Sequence, residues 1–170
     1  MIKLAISGSL GKMGQRICKL AGSDKEFQIV SLLERRGHPQ LGVKISGVAL
    51  TDKSEAIKEA DVLIEFTSPE ASIEHLNACL EFRKAMVIGT TGLSDQQRAE
   101  ITKASQKIPI VFSPNMSIGV NLLFRLVKEA AEKLSAEYEV TITEAHHAQK
   151  KDAPSGTAKK LGEIVQDARK

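Results

Sequence analysis

Short apolar runs alternate with stretches of helical period along the first two thirds of the chain. Residues 2–7 form one run that stops at Gly8, and residues 12–21 then set Met13, Ile17, Leu20 and Ala21 at helical spacing before Gly22. Strand-like runs follow at 27–33, at 61–67 as a buried strand of the parallel type, at 85–88 and at 108–112. Helix starts sit between them. Ser68-Pro69-Glu70 supplies a cap residue, a proline at the first helical position and an acid in the first turn. Ser94 and Gln97 have the spacing of a capping box for a helix running through Ile101 and Ala104. Residues 37–53 are poor in periodic apolar positions and are expected to connect, with one short strand at 48–50, and 54–60 is expected to be a short helix. Beyond them, 120–134 predicts a helix with Leu123, Leu126, Val127, Ala130 and Leu134 on one face. Residues 138–143 alternate like a half-buried strand, and a last helix is expected over 157–168.

Strands alternating with helices five times imply an α/β fold with right-handed crossovers, a doubly wound, mostly parallel sheet of the Rossmann type. Ligands of such sheets bind at the carboxyl ends of the strands, where the loops at Gly8, Glu34, Thr67, Gly89 and Pro114 gather. Residues 1–119 are therefore read as a dinucleotide-binding domain. One strand cannot make a sheet, so 120–170 are read as the opening portion of an α+β substrate domain that is incomplete in this chain.

Composition narrows the picture. Of 170 residues, 42% are hydrophobic and only 4% aromatic, as suits an aliphatic interior between helices and a sheet. A net charge of +3 with both signs interspersed argues against nucleic acid and favours a small anionic ligand. Cys18 and Cys79 lie in predicted helices without metal-ligand spacing, so buried thiols and no metal are expected. The chain has no long apolar segment and no signal-like start, so a cytoplasmic protein with no membrane association is expected.

Two stretches carry chemistry. Gly8-Ser9-Leu10-Gly11-Lys12-Met13-Gly14 is a G-x-x-G-x-x-G variant of the dinucleotide fingerprint, set between a strand and a helix. Gly8 would permit the tight turn, Gly11 the approach of a pyrophosphate, and Gly14 the packing of helix on strand. Glu34 ends the second strand, where a carboxylate accepts from ribose hydroxyls. Arg35 and Arg36 follow, so a guanidinium is at hand for a 2′-phosphate and both NADH and NADPH are expected to be accepted. The second stretch is 144–157, EAHHAQKKDAPSGT. Ser155, Gly156 and Thr157 open a helix, whose free amides and dipole attract an anion such as a carboxylate. His146, His147 and Lys150 add cations and a proton donor of near-neutral pKa.

These strings resemble the 4-hydroxy-tetrahydrodipicolinate (dihydrodipicolinate) reductase family. The resemblance rests on GSLGKMG at 8–14, Glu34-Arg35, EFT at 65–67, GTTG at 89–92, SPNMSIGVN at 113–121 and EAHHAQKKDAPSGTA at 144–158. It implies reduction of a cyclic dicarboxylate imine by NADH or NADPH, with His146 as proton donor and Lys150 as its electrostatic partner. It implies that His147, Lys150, Ser155, Gly156 and Thr157 bind the substrate carboxylates. For the cofactor it implies Gly8, Gly11, Lys12, Met13 and Gly14 in the loop, Glu34 and Arg35 after the second strand, and Phe66 with Thr67. Gly89, Thr90, Thr91, Ser113, Asn115 and Met116 complete that set. Members of the family continue with strands that finish the substrate domain and build a homotetramer. A different Rossmann dehydrogenase, or a dinucleotide-binding module without catalysis, are the other readings the residues leave open.

Overall fold

The computed structural model describes residues 1–134, 137–146 and 153–170. They divide into two compact units, Met1–Phe112 and Ser113–Lys170.

The first unit is built on one sheet. Strands β1 (Ile2–Ser7), β2 (Phe27–Leu33), β3 (Lys44–Ile45), β4 (Val48–Thr51), β5 (Val62–Glu65), β6 (Ala85–Ile88) and β7 (Ile110–Phe112) lie in the order β3-β4-β2-β1-β5-β6-β7. All pairings are parallel except β3 with β4. Leaving out β3, the parallel strands follow the 3-2-1-4-5-6 order of a doubly wound dinucleotide fold, whose crevice opens where the winding reverses, between β1 and β5. Side chains alternate across the strands, so Leu4, Ile6 and Leu32 enter one core while Ala5, Leu33 and Leu63 enter the other. Helix α1 (Lys12–Ser23) contributes Ile17, Cys18 and Ala21 to the first core. Helices α2 (Pro69–Phe82) and α3 (Asp95–Ala104) contribute Leu76, Cys79, Ile101 and Ala104 to the second.

The predicted starts of α2 and α3 are in place. Ser68 accepts from Ala71 N–H ahead of Pro69, and Ser94 and Gln97 form the reciprocal capping box. Several expectations are corrected. Gly22 does not end α1; the helix runs on to Ser23 and stops at Asp24, whose backbone turns extended and whose carboxylate accepts from Glu26 N–H at 2.9 Å. The connection after β2 contains a hairpin, because Ser46 (φ 51°) and Gly47 (φ 84°) form a two-residue turn with both centres left-handed. Serine at the first centre is an uncommon signal, which is why β3 was not foreseen. Ser54–Glu59 forms a 3-10 turn.

The second unit contains α4 (Ile118–Lys133), capped by Ser117, and α5 (Gly156–Ala168), capped by Ser155, packed on each other. The strand expected at 138–143 does not form. Among the described residues nothing pairs with it, and Tyr138, Val140 and Ile142 remain 57%, 44% and 40% exposed, so its alternating pattern has no ladder and no layer to satisfy. The apolar face of α4 is covered only in part, with Leu122, Leu123 and Leu126 still exposed. No helix among the described residues is long and apolar enough to cross a membrane.

Cys79 is fully buried in α2, and burial first, then the Glu65 charge, push its thiol from 9.0 up to about 12. Below pH 9 the thiol is protonated folded and unfolded alike, so it contributes no pH dependence. Between about pH 9 and 12 only the unfolded thiol ionises, and stability should fall by about 1.4 kcal/mol per pH unit. Urea denaturation at pH 8 and pH 10, compared with Cys79→Ala to subtract other alkaline groups, measures this; identical slopes for both proteins would contradict it.

Candidate functional site

The crevice begins with the turn after β1. Gly8 N–H and Ser9 N–H both donate to Leu33 O, at 3.1 and 3.3 Å, and Gly11 N–H donates to Gly8 O at 2.9 Å. The loop is thus tied to the end of β2. Gly8 has φ +69°, and a Cβ there would lie 2.2 Å from Phe66 O, so only glycine lets β1 and β5 leave the sheet side by side. A Cβ on Gly14 would lie 2.1 Å from Gly8 O, which seats the first turn of α1 directly on the loop. Gly11 is the N-cap of α1 and brings no side chain to its amides, leaving the positive helix end available to an anion.

A cavity of about 650 Å³ opens from this loop, walled among others by Gly11, Glu34, Arg35, Thr67, Asp52 and His75. Glu34 Oε1 accepts from Leu10 N–H at 2.9 Å and Oε2 from Arg35 N–H at 3.3 Å, so the carboxylate stands across the glycine loop. Arg36 is diverted to an exposed ion pair with Glu74 at 3.2 Å. Arg35 has no side-chain partner among the described residues and is the guanidinium available beside Glu34. Opposite, Thr67 N–H donates to Thr90 Oγ1 at 3.0 Å, and Gly89 N–H donates to Glu65 O at 2.9 Å. Gly89 has a steric task as well, since a Cβ would lie 2.0 Å from the Phe66 ring.

Of the expected cofactor residues in the first unit, the cavity wall gathers Gly8, Gly11, Glu34, Arg35, Phe66 and Thr67. Lys12 and Met13 are exposed at the start of α1, and Gly14 is buried beneath the loop. Thr90 is buried, whereas Thr91 is exposed and makes no described hydrogen bond. Sequence reasoning missed Leu10, whose amide holds Glu34, and the pair made by buried Glu65 with half-buried His75. A carboxylate ending an otherwise apolar run was the available signal for Glu65.

In the second unit the loop before α4 is organised on itself. Ser113 Oγ donates to Asn115 O at 2.7 Å, and Asn115 Oδ1 accepts from Ser117 N–H at 2.9 Å, while Met116 is exposed. Asn115 Nδ2 donates to Thr157 Oγ1 at 3.3 Å, joining a residue expected on the cofactor side to one expected on the substrate side. Glu144, to which no role was given, engages Ser155: Oε1 accepts from Ser155 N–H at 2.7 Å and Oε2 from Ser155 Oγ. Ser155 Oγ also accepts from Ala158 N–H, so Ser155 shapes the helix start and leaves Gly156 and Thr157 with the open amides. His146 Nδ1 lies 3.6 Å from Glu144 Oε2, with the side chain 40% exposed. His147 and Lys150 lie outside the described residues.

Strand order, glycine loop and terminal carboxylate together define a Rossmann-type dinucleotide-binding protein. The family model described as dihydrodipicolinate reductase, N-terminus, matches residues 2–116, and that for the C-terminus of the same enzyme matches 119–170; the chain belongs to this family. The 4-hydroxy-tetrahydrodipicolinate reductase of Syntrophotalea carbinolica is 44% identical, over 99% of this chain and 66% of its own length. That of Bordetella pertussis is 45% identical, over 98% and 64%. The chain thus spans about two thirds of the length of the curated relatives it matches. Among solved structures, the dipicolinate-bound dihydrodipicolinate reductase of Paenisporosarcina sp. TG-14 is similar, with a TM-score of 0.78 at 28% identity over 99% of this chain and 67% of that one.

The two glycines of α1 should respond oppositely to substitution. Gly14→Ala forces backbone apart at the loop and should destabilise by about 1–3 kcal/mol. Gly22→Ala meets nothing within 4 Å and should be neutral or stabilising, by up to about 1 kcal/mol. Urea denaturation reads both, and a tolerated Gly14→Ala would mean that the loop has room to give.

Proposed function

We propose that the crevice at Gly8–Gly14 and Glu34 binds NADH or NADPH, and that the chain serves reduction of 4-hydroxy-tetrahydrodipicolinate. The substrate reacts as the cyclic imine left by loss of water and becomes tetrahydrodipicolinate, in the diaminopimelate route of lysine biosynthesis. The observation that carries this is Glu34 held across the glycine loop by Leu10 N–H at 2.9 Å, with Arg35 beside it, in a chain of this family. The residues fit the cofactor: glycines where a side chain would fill the cradle, a bare helix N-terminus for the pyrophosphate, and a carboxylate for the ribose hydroxyls. When bound, the reduced nicotinamide supplies the hydride.

The chain's own residues do the rest. Arg35 pairs with a 2′-phosphate where one is present. Phe66, Thr67, Gly89, Thr90 and Thr91 line the cofactor's path from the carboxyl ends of β5 and β6, and Ser113, Asn115 and Met116 add contacts from the loop before α4. His146 donates the proton that the reduced ring system takes up, and Lys150 holds positive charge beside it. His147, Lys150, Ser155, Gly156 and Thr157 hold the two carboxylates, with the amides of Gly156 and Thr157 doing most of the hydrogen bonding once Glu144 has engaged Ser155. The same reading makes the assembly a homotetramer and the compartment the cytoplasm.

Mixing the purified chain with NADPH and freshly generated substrate tests the proposal. Loss of the reduced cofactor's absorbance, abolished at least about a hundredfold by His146→Gln, is expected for a catalytic proton donor. Cofactor binding with no turnover, indifferent to His146→Gln, would instead favour a non-catalytic dinucleotide-binding module. Glu34→Ala removes the Leu10 clamp for either cofactor but the ribose contact chiefly for NADH, so NADH binding should weaken more than NADPH binding. Equal losses in titration calorimetry would contradict the assignment of Glu34.

A further inference from the structure

The carboxyl end of β5 carries a group that the proposed reaction does not use. Glu65 is fully buried, and its carboxylate is enclosed by Thr67 Oγ1, Ser72 Oγ at 3.3 Å and His75 Nδ1 at 2.7 Å. Ser72 and His75 are three apart on α2, so both fall on the helix face turned to the end of β5. Ser7 Oγ, at the end of β1, lies 3.2 Å from the same imidazole nitrogen. A buried carboxylate is costly unless its oxygens receive donors, and here three side chains supply them. Two of the three, Thr67 and His75, also line the cavity that opens from the glycine loop.

The chemistry of the donors sets the direction of each bond. A carboxylate only accepts, so Thr67 gives Glu65 its hydroxyl proton and His75 presents Nδ1–H. The His75 side chain is 13% exposed, and its Nε2 has no hydrogen-bond partner among the described residues. With Nδ1 turned to the buried side, Nε2 is on the ring edge left for the cavity. We infer that Glu65 is a positioning residue for the bound dinucleotide: it fixes His75 as the Nδ1–H tautomer, so that Nε2 accepts from a hydroxyl or amine of the adenosine half, and it turns the Thr67 lone pairs toward the cavity. This rests on the dinucleotide reading of the same crevice. Neutral imidazole in water prefers the opposite tautomer, with the proton on Nε2, so the buried carboxylate reverses the polarity of the edge a ligand meets. A preset acceptor costs no reorganisation when the ligand arrives.

Long-range proton–nitrogen correlation spectra of the full chain, labelled with 15N-histidine, test this directly. The His75 signals are identified by their loss in His75→Asn. A pyrrole-type Nδ1 and a pyridine-type Nε2 are expected, and NADPH should move the Nε2 signal upfield as it gains a donor. Glu65→Gln, whose amide accepts or donates, should release a tautomer mixture and weaken NADPH binding by about tenfold, the worth of one good hydrogen bond. Glu65→Asp should recover part of both. A proton on Nε2 in the unaltered chain, as the Nε2–H tautomer or as imidazolium, overturns the inference, as does unchanged NADPH affinity in a folded Glu65→Gln protein. If Glu65→Gln does not fold, the unaltered protein's tautomer and the Nε2 response to NADPH decide. NADPH binding without an Nε2 response overturns the role of Glu65 alone, whereas absence of NADPH binding overturns the dinucleotide reading and this role together.

Discussion

The approach of Gly8 to the backbone of Phe66 is the constraint on which the first unit depends. A Cβ at Gly8 would sit 2.2 Å from Phe66 O, so β1 and β5 leave the sheet closer together than any other residue would permit. That closeness places the glycine loop and the β5 end on two sides of one crevice. The loop's bonds to Leu33 O bring in the end of β2, and with it Glu34 and Arg35. Three strand ends separated by up to about sixty residues of sequence are therefore locked together through main-chain groups, which no side-chain exchange elsewhere readily undoes.

Carboxylates recur at the points where loops must hold shape. Glu34 accepts from Leu10 and Arg35 amides, Glu65 from hydroxyls and an imidazole, and Glu144 from the amide and hydroxyl of Ser155. Charge-assisted bonds fix the loops at Leu10 and Ser155, and at Glu65 they tie the end of β5 to α2. Their surroundings differ, and so does their availability. Glu34 is partly open at the cavity edge, while Glu65 is sealed beneath it. The first can meet a ligand and the second only orients groups that do.

The second unit follows a simpler logic. Two amphipathic helices, each begun by a serine cap, pack on each other, and among the described residues of this unit only Ala131 and Ser155 are buried. The loop residues Asn115 and Thr157 are joined by a hydrogen bond, so the segment before α4 and the start of α5 are held together within that unit. Ser155 is the most enclosed residue of the His-rich segment's helix start, and its enclosure explains why it organises the cradle and leaves the open amides to its neighbours.

Local pattern alone determined the parallel strands, the caps at Ser68 and Ser94, and the glycine loop with its terminal Glu34. These depend on period, on cap chemistry and on backbone freedom, all of which are properties of a few adjacent residues. The hairpin at Ser46-Gly47 was legible only in part, because a serine with positive φ carries no strong local signal. The strand pattern at 138–143 was legible but misleading, since alternation describes a preference that only a neighbouring strand can realise. Tertiary structure decided which polar groups serve the crevice and which build it. Leu10 meets Glu34 only because the loop after β1 reaches the end of β2, and Glu65, Ser72 and His75 meet only because β5 and α2 converge; the task of each carboxylate is set by the donors brought to it.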